Sequence, residues 1–130
     1  MEARKAPSGR EGGDAVHTSI AAFTLAESIR RFGHLAAQLD PLGTTRAYPA
    51  DLSLDAFGLD DSNLSQAFDP GTLPLPNPSP LSAILECLEE TYCRSVGVEF
   101  MHIQDSAKRT WLTQRMESGR NRPVLSENGR

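Results

Sequence analysis

Apolar side chains recur at Ala22, Leu25, Ala26, Ile29, Phe32 or Gly33, and Ala36. This is the i, i+3, i+4, i+7 rhythm of one helical face, and it predicts a long helix over residues 15–39. Glu27 and Arg31 add an i, i+4 pair in the favourable order, and Thr18 or Asp14 can cap the start. The pattern meets a hard stop at Asp40-Pro41, because the proline ring disfavours the α region for the residue before it. Gly43 then lets the backbone turn away. Gly33 costs a helix about 1 kcal/mol against alanine, so its place inside the pattern implies that another backbone comes close there.

After this stop the pattern shortens. Residues 51–57 suit one or two turns ended by Gly58, and Asp60 or Asp61 can cap a second short helix over residues 63–68. Leu54, Phe57, Leu64 and Phe68 are the apolar anchors. Residues 69–80 hold Pro70, Pro74, Pro76, Pro78 and Pro80, a run that favours polyproline II and predicts a semi-rigid spacer over the surface. Leu81, Ile84, Leu85, Leu88 and Tyr92 form the stripe of a second helix, with Ser79 as its cap and Pro80 in the first helical position. Residues 96–103 alternate imperfectly and suit a short strand or an extended buried segment equally. Asp105 then predicts the cap of a third helix over residues 106–117, with Ala107, Trp111, Leu112 and Met116 inward and Gly119 as terminator.

The expected class is therefore mainly α: a small helical domain of three main helices plus short helical turns, with a Pro-rich linker and disordered termini. Residues 1–17 read as a disordered arm, since Pro7, Gly9, Gly12 and Gly13 break any pattern. Residues 18–118 form the helical domain, with the linker at 69–80. Residues 119–130 are a polar tail.

Composition narrows the function classes. The chain has 130 residues, net charge -4 and 38% hydrophobic content, with a pI of about 5.3 and mean hydropathy of -0.38. Nucleic acid is not an expected partner, because that needs a concentrated basic face. No apolar run approaches a membrane span, and the first residues have neither a signal core nor the acid-poor character of a transit peptide. The aspartates of the middle section lack the alternating spacing, central Gly and terminal Glu of a calcium loop and read as caps. Cys87 and Cys93 are poorly spaced to bridge along one helix and too few for a metal site. They read as reduced packing residues of an intracellular protein.

The search for chemistry yields no phosphate loop, nucleophile elbow or zinc-ligand pair. His34 lies near Asp40 in sequence, but more than a helical turn separates them and no nucleophile sits nearby, so His34 reads as a structural histidine. His102, between apolar neighbours, reads as a buried ring with Glu99 as its partner. His17 carries no argument. Tyr92 and Trp111 read as core. The candidate positions are thus structural or interface ones: Gly33, His34, Asp40, Pro41, Tyr92, His102 and Trp111. On physical grounds the chain is a helical binding or docking module without a self-contained active site.

Three strings add what periodicity does not. They are Gly33-His34-Leu35-Ala36-Ala37-Gln38-Leu39-Asp40-Pro41-Leu42-Gly43, Glu90-Thr91-Tyr92-Cys93-Arg94-Ser95-Val96-Gly97-Val98-Glu99-Phe100-Met101-His102-Ile103-Gln104-Asp105, and Arg109-Thr110-Trp111-Leu112-Thr113-Gln114-Arg115-Met116-Glu117. In order and spacing they resemble the N-terminal region of the dehydrogenase (decarboxylating) component of the 2-oxoglutarate dehydrogenase complex, over residues 20–125. One departure stands at Phe32, where the family commonly carries Arg before the Gly-His pair. Arg30 and Arg31 offer the charge one or two places earlier.

The resemblance implies an oxidoreductase of the tricarboxylic acid cycle that uses thiamine diphosphate and magnesium. It decarboxylates 2-oxoglutarate and passes the succinyl group to a lipoyl arm of the succinyltransferase component. None of that family's cofactor, metal or catalytic residues map onto positions here. The expectation is an N-terminal piece, inactive alone, whose polar tail leads toward a catalytic region outside the chain. Its implied partners are the rest of the dehydrogenase component and the succinyltransferase, with a homodimer only in the complete enzyme, and residues 1–17 occupy the place of the family's docking arm. The implied compartment is the bacterial cytoplasm, or the mitochondrial matrix in a eukaryote. The alternative is a free-standing interaction module for the dehydrogenase complex.

Overall fold

The computed structural model of the protein describes residues 9–129. It is mainly helical, as the pattern predicts, with α1 (Gly9–Phe32), α2 (Leu81–Tyr92) and α3 (Ser106–Gly119). Short 3-10 turns fill the stretch between α1 and α2 at Ala50–Leu52, Asp55–Phe57 and Asp61–Ser65. Among the described residues no helix is long and apolar enough to cross a membrane.

The centre of the molecule is α2, which packs on α1 along one side and on α3 along another. Leu81, Ile84, Cys87, Leu88, Thr91 and Tyr92 of α2 are buried. Ala22, Leu25, Ala26 and Ile29 of α1 meet them, so the rhythm that defines the first helix also defines its buried face. Tyr92 stacks on Phe100 with ring centroids 5.8 Å apart. Each large apolar side chain buried in this way contributes about 1.5–3 kcal/mol.

α1 differs from its expected bounds at both ends. It begins at Gly9, inside the stretch read as a disordered arm, while residues 1–8 lie outside the described residues. A glycine costs an existing helix only about 1 kcal/mol, and lengthening a helix is far cheaper than nucleating one. Thr18 is therefore not a cap; it lies within the helix and its hydroxyl donates to the Asp14 carbonyl at 2.8 Å. The other end stops at Phe32, well before Asp40-Pro41. A 3-10 turn, Gly33–Leu35, follows, and the Gln38 amide N–H leaves the helical ladder to donate to the Arg94 carbonyl at 2.5 Å. The Gln38 side chain then closes the loop beyond, donating to the Arg46 carbonyl at 3.1 Å and accepting from its N–H at 2.9 Å.

The Pro-rich segment is a correction. It is not an extended spacer but a loop that returns to its own start. Ala67–Phe68 (β1) pairs antiparallel with Ser79–Pro80 (β2), in register Ala67 with Pro80 and Phe68 with Ser79. The Leu81 N–H then donates to the Gln66 carbonyl at 2.9 Å. Inside the loop, Asp69 accepts from the Gly71 N–H at 2.8 Å, and Gly71 has φ 60°, where a side chain would be strained. Leu73 and Ser79 are buried. Burying Leu73 in the core is what bends the run back, and polyproline preference offers nothing to oppose it.

Residues 96–103 form no strand, and Phe100 is the buried anchor of that segment. α3 starts as expected, with the Asp105 carboxylate accepting from the N–H groups of Ala107 at 3.0 Å and Lys108 at 3.2 Å. It ends two residues later than expected. Gly119 is its last residue, and Arg120 and Asn121 take the left-handed conformation at φ 51° and 53°. Two contacts to α2 hold these residues there: Arg120 to Glu90 at 2.9 Å, and the Asn121 amide to the Thr91 carbonyl at 2.8 Å.

Candidate functional site

Where α1, α2 and α3 meet, Glu117 is fully buried. On α3 it follows Leu112, Thr113 and Met116 along one helical face, so the same turn that packs the half-buried Leu112 and Met116 against the core carries its carboxylate inward. The carboxylate accepts from Arg30 Nε at 2.6 Å, Arg30 Nη2 at 3.2 Å, Tyr92 Oη at 2.8 Å and Thr72 Oγ1 at 3.2 Å. Arg30 Nη1 also donates to Glu27 at 2.7 Å. One carboxylate thus ties together α1, α2, α3 and the loop between β1 and β2. Four donors satisfy a charge that would otherwise be costly to bury.

The electrostatics of this knot are self-contained. Burial would lower the Arg30 pKa, but hydrogen bonds to and charge from Glu117, then Glu27, outweigh it and leave the guanidinium above its ordinary value. Burial, and next the Glu117 charge, raise the Tyr92 phenol. Arg30 therefore stays charged and Tyr92 stays protonated near neutral pH.

Beside the knot, α1, α3 and the loop after β1 enclose a half-open cleft of about 580 Å³. Its walls are mainly apolar, with Ala22, Ala26, Leu73 and Ile84 among them, and Arg30 and Arg109 supply its positive groups.

The seven sequence-derived positions are not gathered at one place. Gly33 and Tyr92 do meet: a Cβ on Gly33 would lie 2.8 Å from Tyr92 Cβ, 3.2 Å from Cys93 Sγ and 3.4 Å from the Tyr92 carbonyl. His34 pairs with Glu99, its Nε2 3.4 Å from Glu99 Oε1, and its Nδ1 is buried without a partner among the described residues. Asp40 and Pro41 are exposed, and Asp40 accepts from the Leu42 N–H at 2.8 Å.

His102 and Trp111 are corrections. His102 is exposed, and Glu99, expected to be its partner, turns to His34 instead. Trp111 is 61% exposed. The inner face of α3 is Leu112, Thr113, Met116 and Glu117, and the helical turn of about 100° per residue swings Trp111 off it. Ala107 is exposed for the same reason.

The charged residue that matters most, Glu117, was not singled out by its sequence position. The one signal was Arg30, which follows Ala26 and Ile29 on the flank of the apolar stripe and so requires a buried anion.

Among the described residues no three His, Cys, Asp or Glu side chains gather as a metal site. In the cleft, Arg30 is consumed by Glu117 and Glu27. That leaves one guanidinium and two carboxylates, Glu27 and Asp69, around the space. Arg109 is thus the one guanidinium of this lining without an ion-pair partner among the described residues.

The chain is 44% identical over 110 residues to the 2-oxoglutarate dehydrogenase E1 component of Azotobacter vinelandii, a match covering 83% of this chain and 12% of that protein. The chain is similar to the N-terminal region of the 2-oxoglutarate dehydrogenase E1 component. Two other E1 components support the assignment. That of Coxiella burnetii is 38% identical over 94 residues, 72% of this chain and 10% of that protein. That of Haemophilus influenzae is 33% identical over 102 residues, 75% of this chain and 11% of that protein. The chain therefore spans between 10% and 12% of the length of these E1 components. No family model matches the chain. Arg30, expected to offer the charge that the family pattern places before the Gly-His pair, is committed to Glu117 and Glu27.

Proposed function

We propose that this chain serves as an N-terminal packing and docking region of a 2-oxoglutarate dehydrogenase E1 polypeptide in the cytoplasm, and that it is inactive alone. In complete form such an enzyme decarboxylates 2-oxoglutarate with thiamine diphosphate and magnesium, and transfers the succinyl group to a lipoyl arm within the tricarboxylic acid cycle. The observation that carries the reading is a 44% identity that runs through 83% of this chain yet takes in 12% of the relative. The self-contained Glu117 knot supports it, since its groups hold the three helices together and leave no acid, base or nucleophile free. Partners under this reading are the remaining dehydrogenase polypeptide and the succinyltransferase component.

The test is a decarboxylation assay on the purified 130-residue chain with 2-oxoglutarate, thiamine diphosphate and magnesium. No turnover is expected, and measurable turnover overturns the reading. A second reading, a free-standing module that binds the complex, is favoured by the outward stripe of Val16, Ile20 and Phe23 on α1. Stable capture of the succinyltransferase component by the isolated chain, lost on Phe23→Ser, would select it.

A further inference from the structure

The cleft between α1, α3 and the loop after β1 carries chemistry that the packing role does not use. Its volume, about 580 Å³, lies in the range of small-ligand sites, which are apolar with a few polar groups that orient the ligand. Ala22, Ala26, Leu73 and Ile84 line the interior, and Phe23 stands at the rim with 67% of its surface exposed.

Four charged side chains line this space: Glu27, Arg30, Asp69 and Arg109. Three are already answered. Arg30 and Glu27 bind each other, and Arg30 also binds Glu117. Asp69 accepts from the Gly71 N–H of its own turn. Arg109 differs. Its Nη1 donates to the Ile103 carbonyl at 2.6 Å, and among the described residues it forms no ion pair. A guanidinium has five N–H donors, so most of its fork remains available. The exposed Thr110 hydroxyl stands beside it on the lining.

We propose that the cleft binds an apolar monocarboxylic acid, with its carboxylate on Arg109 and its hydrocarbon chain along Ala22, Ala26 and Leu73. The planar fork of Arg109 matches a carboxylate in a bidentate manner. A single negative charge is the fitting number, because Glu27 and Asp69 at the cleft repel a polyanion. This site is independent of the packing role and of any catalytic activity, so its failure would leave that role untouched.

The experiment is an amide NMR titration of the full 130-residue chain with sodium octanoate, and separately with 1-octanol. Octanoate is expected to give saturable shifts confined to the cleft segments of α1, the Gly71 to Leu73 turn and the first half of α3. Arg109→Gln should weaken octanoate by about tenfold or more, the scale of a lost hydrogen bond to a charged group, and leave octanol unchanged. Arg109→Lys should recover part of the loss. If Arg109→Gln disturbs the fold through its lost bond to Ile103, the native chain supplies the same test: octanoate affinity should fall with rising salt while octanol affinity stays level. Non-saturating shifts overturn the proposal. So do shifts centred on exposed apolar residues such as Leu42 and Val124, equal binding of acid and alcohol, or a salt-independent octanoate affinity.

Discussion

Arg30 and Glu117 stand 87 positions apart in the chain, and their side chains meet at 2.6 Å. The carboxylate has no exposed surface and the guanidinium only 11%. This pair joins the first helix to the last across the middle of the molecule, and Tyr92 and Thr72 complete it. Removing one partner leaves a buried charge unanswered, which costs more than the pair itself contributes. Glu117→Gln keeps the shape and removes the charge, and is expected to destabilise the fold by about 3 kcal/mol, at the low end for broken buried pairs because Glu27 still answers Arg30. Tyr92→Phe, which deletes one of four donors, should cost about 1 kcal/mol. Urea denaturation of both variants provides the check, and a Glu117→Gln loss no larger than that of Tyr92→Phe would contradict the account.

Gly33 marks a second close approach. An added Cβ would meet the Tyr92 Cβ at 2.8 Å and the Cys93 Sγ at 3.2 Å, and both belong to a packed helix end that has little room to yield. Gly33→Ala should therefore cost about 1–3 kcal/mol by overpacking. Gly13 lies within α1 with nothing within 4 Å of its added Cβ. Gly13→Ala should instead stabilise by up to about 1 kcal/mol through helix propensity. Thermal melts of the two variants should move in opposite directions, and parallel shifts would refute the packing argument at Gly33.

Much of this architecture was legible because it depends on neighbours in sequence. The stripe of α2 and the Asp105 cap of α3 are local, and the structure keeps both. What was not legible depends on partners far along the chain. Asp40-Pro41 is a sound helix stop, but the approach of Tyr92 to Gly33 and the Gln38 bond to Arg94 end the helix first. The prolines between β1 and β2 read as a spacer because neither the Phe68–Ser79 pairing nor the burial of Leu73 leaves a local trace. Glu117 carries no local mark of its burial, since charged residues are rarely fully buried. Glu99 was given to His102, yet the fold turns it to His34. The cleft was invisible in sequence, because its walls come from five separate segments.

Trp111 offers an optical test of the register of α3. It is the sole tryptophan, and with 61% of its surface exposed it contributes little burial. Trp111→Ala should change stability by less than about 0.5 kcal/mol, as for surface sites generally. In the native chain, iodide should quench its fluorescence nearly as well as in the unfolded chain. Strong protection from iodide would mean that α3 is rotated, with Trp111 inward and Glu117 no longer facing Arg30.

Cys93 makes stability depend on alkaline pH. Burial, and then the negative charge of Glu89, push its thiol from an ordinary 9.0 up to about 11. The folded chain therefore holds a proton that the unfolded chain releases sooner. Stability falls wherever the native state binds more protons than the unfolded one. The contribution is whole below about pH 9 and is lost as pH rises through about 11. Tyr48 and Tyr92, also raised by burial, add to the decline in the same direction, so the thiol is isolated by comparison with Cys93→Ala. Urea melts across this range should show a shallower alkaline decline in the variant. The same thiol should react with iodoacetamide more slowly than free cysteine near pH 8, because little of it is thiolate there. Equal slopes in the two proteins, or alkylation of Cys93 at the rate of free cysteine, would rule out a thiol held neutral by the fold.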